Sequence, residues 1–332
     1  MTMPAQSEHQ KTMLLSRVAD SLYWMSRYLE RAEHTARLID VSLNLMLEQA
    51  PHEADLRWRR VLRSLNVPLG DTPLDAYHLT YLLTFDGGNP NSIVSCIAAA
   101  RENAQHVREL LSSEMWEQLN LLYLHVRRTR LDDIWNDRPS EFFRSVRDGA
   151  HLFQGITDST MTQGEGWQFI QVGRLLERAS AVAALVVQHF SDTDRPISAG
   201  ESSTEHLEWI GLLKSCTAFE AYCKVYTADL QPNQIVEFLV LNPDFPHSIC
   251  FAALRLQGHL QGIAASTETH NAGRVTRLAG RLRATLEFGQ TDEIMEGGLQ
   301  GYLEQVQALC RQIHDTIYQA YITYAIDREL AT

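Results

Sequence analysis

An all-α fold, a multi-helix bundle of roughly ten helices, is what this sequence predicts, on three observations. Apolar residues recur at helical spacing along nearly the whole chain, while β-branched runs with strict alternation are scarce. Short stretches rich in Gly, Pro, Asn and Ser punctuate these segments. Finally, the pattern Arg-x-Leu-Glu-Arg-Ala occurs twice on long helical segments, at Arg27 and again 147 residues later at Arg174. The repetition predicts an internal duplication of one long charged helix. No period of about 20 to 50 residues recurs, so a bundle is preferred to a solenoid.

The first long helix is expected to begin near Ser16, a good N-cap with Asp20 in the next turn, and to reach Glu48. Met25, Tyr28, Leu29, Ala32, Ala36, Ile39 and Leu43 then form one stripe facing a core. After Pro51 comes a helix carrying Trp58, then the Pro/Gly break NVPLGDTP and a short helix from Tyr77 to Leu83. FDGGNPNS, Phe85 to Ser92, is a turn whose Asn91 or Ser92 can cap the helix bearing ARENAQHVREL. Ser112 opens another helix, and one from Ser140 ends at the glycines of TQGEGW. The second charged helix follows and runs to His189. SDTDRPISAGESS, Ser191 to Ser203, is the most linker-like stretch and the place where a subdivision of the chain would fall. Helices resume from Thr204 to Tyr226 and from Pro232, a good N1 residue, to Val240. LNPDFPHS is a rigid double-proline connection, and three further amphipathic helices fill the chain to Ile326.

Composition narrows the function classes. With 332 residues and 45% hydrophobic content the chain can bury a real core. The 29 Lys+Arg against 41 Asp+Glu, a formal net charge of −12, argue against nucleic acid or an anionic membrane as partner. Lys11, Lys214 and Lys224 are the only lysines; the remaining cations are arginines, whose planar forks suit carboxylates and phosphates. Cys96, Cys216, Cys223, Cys250 and Cys310 fit neither a disulfide scaffold nor a zinc ribbon and read as reduced core thiols in a cytoplasm. The polar opening MTMPAQSEHQKT carries no apolar core of a secretory signal, and no segment is apolar enough to span a membrane.

The doubled motif places Arg27, Glu30, Arg31, His34 and Arg37 on one side of the first charged helix, with Glu33 at its edge. Arg174, Glu177 and Arg178 take the same relative positions in the second, opposite an apolar stripe. A solvated ladder of such pairs contributes only about 0.2–0.5 kcal/mol each. Yet AVAALVV, Ala181 to Val187, is apolar almost all round, which buries the second helix on most sides. Buried charges must be paired or must serve a site. Two reciprocal Glu/Arg pairs could hold two halves in register, or could line a cleft that grips carboxylates or amides, and both readings stand open.

Catalytic patterns are weaker. ERAEH resembles a carboxylate metal site, but the second copy has Ser180 and Ala181 where Glu33 and His34 stand, so a symmetric dimetal centre lacks half its ligands. No phosphate-binding loop, zinc-protease helix or nucleophile elbow is present, and no metal or cofactor is expected. Cys216 and Cys223, a heptad apart around Phe219, read as core thiols, and the six tryptophans as packing anchors. Asp86 and Asn89, in the turn before ARENA, either contact a ligand at a helix N-terminus or simply close the turn.

Four segments in order, MLLSRVADSLYWMSRYLERAEHTARLIDV, FDGGNPNSIVSCIAAARENAQHVRELLSSEMWEQLN, MTQGEGWQFIQVGRLLERA and VEFLVLNPDFPHS, resemble the bacterial alpha-E family of helical proteins. The resemblance covers the chain from Met13 onward. It implies a single helical domain over 13–332 with residues 1–12 as a disordered extension. Members resemble one another in keeping company with circularly permuted ATP-grasp ligases and transglutaminase-like cysteine peptidases, so a role in making or breaking peptide-like amide bonds is implied. The family's charged positions carry over as Arg27, Glu30, Arg31 and Glu33, as Arg101 and Glu102, and as Glu165, Arg174, Glu177 and Arg178. Two positions depart from the family: His34 replaces an Asn, and His247 replaces the Arg of Pro-Arg-Ser, removing a permanent cation there.

Three functions follow as expectations. The first is an accessory helical protein that binds an ATP-grasp-type ligase, or its peptide-like or amino-acid ligand, through the Arg/Glu clusters. The second is an enzyme acting on amide bonds with Glu30 or Glu177 as general base and arginines stabilising an oxyanion. The third is a purely structural bundle.

Overall fold

The computed structural model describes residues 6–46, 51–68, 70–136, 138–191, 203–227, 229–267 and 272–323. These fold into helices α1 (Gln6–Met46), α2 (Pro51–Ser64), α3 (Ala76–Thr84), α4 (Ile93–His106), α5 (Ser113–Arg128), α6 (Leu131–Trp135), α7 (Pro139–Thr160) and α8 (Glu165–Ser191). The chain continues through α9 (Ser203–Ser215), α10 (Phe219–Tyr226), α11 (Pro232–Val236), α12 (Ile249–Ser266), α13 (Ala272–Glu287), α14 (Thr291–Gly297) and α15 (Leu299–Ile317). The fold is all-α, with no strand among the described residues. Ten of these helices have 13 residues or more; α3, α6, α10, α11 and α14, with five to nine, are short connecting turns of helix.

Several boundaries differ from the sequence reading. α1 starts at Gln6, so Ser16 is an interior residue; QSEHQKT is polar but made largely of helix-tolerant side chains. Among the described residues four helices, not three, follow the double-proline connection. Cys216 and Cys223 lie on different helices, because Thr217, at φ 57°, breaks the segment between α9 and α10. The candidate subdivision falls on residues 192–202, outside the described residues, as do residues 1–5 of the expected N-terminal extension. Ser92 and Ser112 cap α4 and α5 as read, each accepting from the backbone N–H three residues on.

α1 and α8 form the centre. The predicted stripe on α1 is buried at Met25, Leu29, Ala32, Ala36 and Ile39 and half-buried at Tyr28 and Leu43; Leu22, Tyr23 and Leu38 are buried as well. α8 is buried on most sides, as its apolar run requires. The two helices run parallel and in register: Gly166 lies against Leu22, Gly173 against Tyr23 and Ser26, Glu177 beside Arg27, and Leu185 beside Leu38. That register is the spacing of the doubled motif, so equivalent positions of the two copies stand opposite each other.

The duplication extends far beyond the motif. α1 packs on α4 and α7 as α8 packs on α12 and α15; α5 joins α4 and α7 as α13 joins α12 and α15. α2 reaches across to α8, and α9 reaches across to α1. This is the packing of two subunits about a twofold axis, realised within one chain. Arg57 and Arg60 of α2 hold the Glu208 carboxylate of α9, tying the two crossing helices together. All five cysteines are free, and four of them are buried core thiols whose pKa burial pushes up to about 11 or 12.

Candidate functional site

The α1/α8 seam brings the two copies of the motif into reciprocal contact. Glu177 is clamped from both sides: Arg27 Nε donates to Oε2 at 2.7 Å and Arg31 Nε to Oε1 at 2.7 Å. Glu30 receives the fork of Arg178, from Nε at 2.5 Å and Nη2 at 3.0 Å, and Gln154 Nε2 at 3.3 Å. Each glutamate thus pairs with the last arginine of the opposite copy. The outer guanidinium nitrogens repeat the symmetry: Arg31 Nη1 donates to Asn91 Oδ1 at 2.8 Å, and Arg178 Nη1 to the Pro246 carbonyl at 3.1 Å. Asn91 and His247 occupy matching places, in Pro-Asn-Ser ahead of α4 and Pro-His-Ser ahead of α12.

The carboxylates are inside. Glu30 is 3% exposed and Glu177 8%, which decides against a solvated ladder. Burial alone would raise the Glu177 carboxyl; the Arg27 and Arg31 guanidiniums overcome it and hold it down to about 2. Glu33 is also buried, where it receives Arg37 of the next turn, with His151 Nε2 3.4 Å away. Glu30 and Glu177 tie α1 to α8, whereas the Glu33 ion pair with Arg37 lies within α1.

The arginines of the seam border two open clefts, one on each side of the pseudo-dyad. The first, about 700 Å³, lies between α1, α8 and α15 and shows Arg27, Arg31 and Arg311 with Glu177 and Glu304. Arg27 there also stacks on Trp24, 4.8 Å from the ring centre, and donates to Tyr23 Oη at 3.0 Å. The second, about 440 Å³, lies between α7, α8 and α12 and shows Arg174, Arg178, Arg255, Trp167 and His259. His259 is pushed down to about 4 by burial and by Arg174 and Arg255, and His247 well below its ordinary range by burial and Arg178. At neutral pH both rings are uncharged, so the position where the family resemblance expects arginine carries no charge here.

The remaining sequence candidates lie elsewhere. Asp86 accepts from Gly88 N, and Asn89 donates to the Leu82 carbonyl and accepts from Asn91 N, so both close the turn ahead of α4. Arg101 bonds to Asn120 and stacks on Trp116 and Tyr123 against α5. Glu102 is exposed. Glu165 begins α8, three turns and about 18 Å of helix before Glu177. Sequence reasoning missed Gln154, Asp158, Gln171, Arg255 and His259; only the paired Pro-x-Ser-Ile stretches at Pro90 and Pro246 could have pointed to this wider symmetry. Among the described residues no group of three or more His, Cys, Asp or Glu is placed to hold a metal ion, and no helix is long and apolar enough to cross a membrane.

Acid should loosen this arrangement from both ends of the seam. Burial raises and Arg60 and Arg57 lower the Glu208 carboxyl, leaving it at about 2, while burial and Arg60 push neighbouring His189 from 6.5 to about 3. Each folded-state value is depressed. The histidine contribution is therefore whole above pH 6.5 and fades toward 3, and the Glu177 and Glu208 contributions fade from pH 4.5 toward 2. Melting followed by circular dichroism should show a midpoint that falls progressively below pH 6.5, steepening below 4.5. A midpoint unchanged down to pH 4 would contradict it.

A family model described as a predicted alpha-helical domain with a conserved ER motif matches residues 14–322. Glu30-Arg31 and Glu177-Arg178 are two such dipeptides. The uncharacterized protein Rv2567 of Mycobacterium tuberculosis (strain H37Rv) is 22% identical over 327 residues, covering 91% of this chain and 35% of its own length. The uncharacterized protein Mb2597 of Mycobacterium bovis matches with the same identity and coverage. The chain therefore spans about a third of the length of these curated relatives. No solved structure matches it.

Proposed function

From the premise that this chain belongs to the Alpha-E family, we propose that it is an accessory helical protein of a cytoplasmic system that makes or breaks peptide-like amide bonds. Its partner is an ATP-grasp-type ligase, with a transglutaminase-like peptidase in the same system, and its working surfaces are the two arginine-edged clefts. The whole of 13–332 acts as one domain. The observation that carries this reading is the arrangement of the doubled motif: both glutamates are engaged by arginines across the seam, and those arginines edge open clefts. A carboxylate pinned between two guanidiniums and held down to about 2 is a poor general base, so Glu177 lends no support to a hydrolase. The relatives' greater length also favours a module that works beside other sequence.

The test is co-expression with an ATP-grasp-type ligase from the same genome, followed by size-exclusion chromatography. Co-elution as one complex is the expected result. Separate elution of the two proteins removes the ligase as partner.

A further inference from the structure

The cleft between α7, α8 and α12 holds a cation that forms no ion pair among the described residues. By its place in the repeat, Arg174 is the counterpart of Arg27. Arg27 lies 2.7 Å from Glu177, yet among the described residues no carboxylate stands within 4.0 Å of Arg174. Its equivalent acceptor, Glu30, has both oxygens engaged by Arg178. What Arg174 touches is neutral: Nη1 donates to Gln154 Oε1 at 3.0 Å and Nη2 to Gln171 Oε1, while its buried Nε has no hydrogen-bond partner. Burial and the nearby Arg178 disfavour its charge, and the more distant Glu30 and Asp158 carboxylates offset this only in part.

A second unneutralised cation shares the wall. Arg255 lies 5.2 Å from the Phe251 ring, and no carboxylate stands within 4.0 Å of it among the described residues. Among the described residues the one carboxylate lining the cleft, Asp158, already accepts from Trp167 Nε1 at 3.0 Å and Gln171 Nε2 at 3.1 Å. A chain of net charge −12 therefore carries a local positive pocket with an aromatic wall.

We propose that this cleft binds the carboxylate of a peptide-like ligand, Arg174 and Arg255 donating to its oxygens while an apolar or aromatic body lies on Trp167 and Phe251. Arg178 is already neutralised by Glu30 and Asp158 offsets one of the two remaining arginines, so the surplus charge suits a monoanion, whereas a phosphate dianion exceeds it and is repelled more strongly by Asp158. The repeat explains why Arg174 lacks a paired carboxylate: the first cleft keeps its glutamate on Arg27, whereas this one takes its counter-charge from the ligand. The inference rests on the preceding reading for the peptide-like class of ligand, and is independent of any contact with a ligase.

Titration calorimetry on the full chain tests it with N-acetylphenylalanine, its C-terminal amide, the tripeptide glycyl-glycyl-phenylalanine and inorganic phosphate. The acid is expected to bind, with the amide weaker by about tenfold or more. Arg174→Gln and Arg255→Gln should each weaken the acid by about tenfold while keeping the wild-type circular dichroism spectrum, since neither removes half of an ion pair. A tripeptide that binds more tightly than the acetylated acid assigns a peptide terminus; equal binding assigns a single acylated residue. The proposal is overturned by equal binding of acid and amide, by no binding of the acid, by phosphate binding more tightly than the acid, or by wild-type affinity in both variants. Co-elution with the ligase alongside any of those results removes the cleft assignment alone.

Discussion

Replacing Glu177 with alanine is expected to lower the stability of the chain by about 3 kcal/mol, because two half-buried guanidiniums lose the carboxylate they share. A loss of about 3–5 kcal/mol is expected for Glu30→Ala, which strands the buried Arg178. The cost arises from uncompensated charge rather than from a large intrinsic gain in pairing, since desolvation offsets much of the attraction. Adding Arg178→Met to Glu30→Ala should therefore recover part of the loss, as the methionine stem fills the same space without a charge. Urea unfolding followed by circular dichroism measures both. A loss below about 1 kcal/mol for the single variants would mean the pairs behave as surface ion pairs, and no recovery in the double variant would place the effect elsewhere.

Gly173→Ala is the second large effect. A Cβ there would stand 2.3 Å from Ser26 Oγ and 2.4 Å from the Tyr23 carbonyl oxygen, and the backbone atom cannot swing aside. The parallel central helices would have to separate, drawing Arg27 and Arg31 away from Glu177 one turn further on. A loss of about 3 kcal/mol or more is expected, at the upper end of overpacking effects. Gly155→Ala and Gly258→Ala supply the contrast. Both lie within helices, with nothing within 4 Å of the added carbon, so each should gain about 0.5–1 kcal/mol. If Gly173→Ala behaved like these two, the close approach of α1 and α8 would not be needed.

Much of the architecture was legible because helices advertise themselves locally. Apolar spacing marked the long helices, and Ser92, Ser112 and Pro232 marked starts that depend only on their nearest neighbours. The early start of α1 was hidden because Ser16 is an attractive cap, while the residues before it extend the helix through propensity alone. The doubled motif foretold that charges would meet, since both copies share an apolar stripe and a charged side. The wider repeat left a trace only in the paired Pro-x-Ser-Ile stretches, because Asn91 and His247, or Gln154 and His314, fill matching places with different chemistry. The second cleft escaped notice for a related reason. Arg174, Arg255 and Asp158 come from three helices and share no spacing, so only the folded chain assembles them.

A homodimer must accept every substitution on both faces at once, so a residue that one face tolerates and the other does not is barred. Covalent linkage of the two halves across the α1/α8 seam lifts that restriction. One side can retain a built-in counter-ion while its mirror position exchanges it for a guest, and neither change is copied to the other.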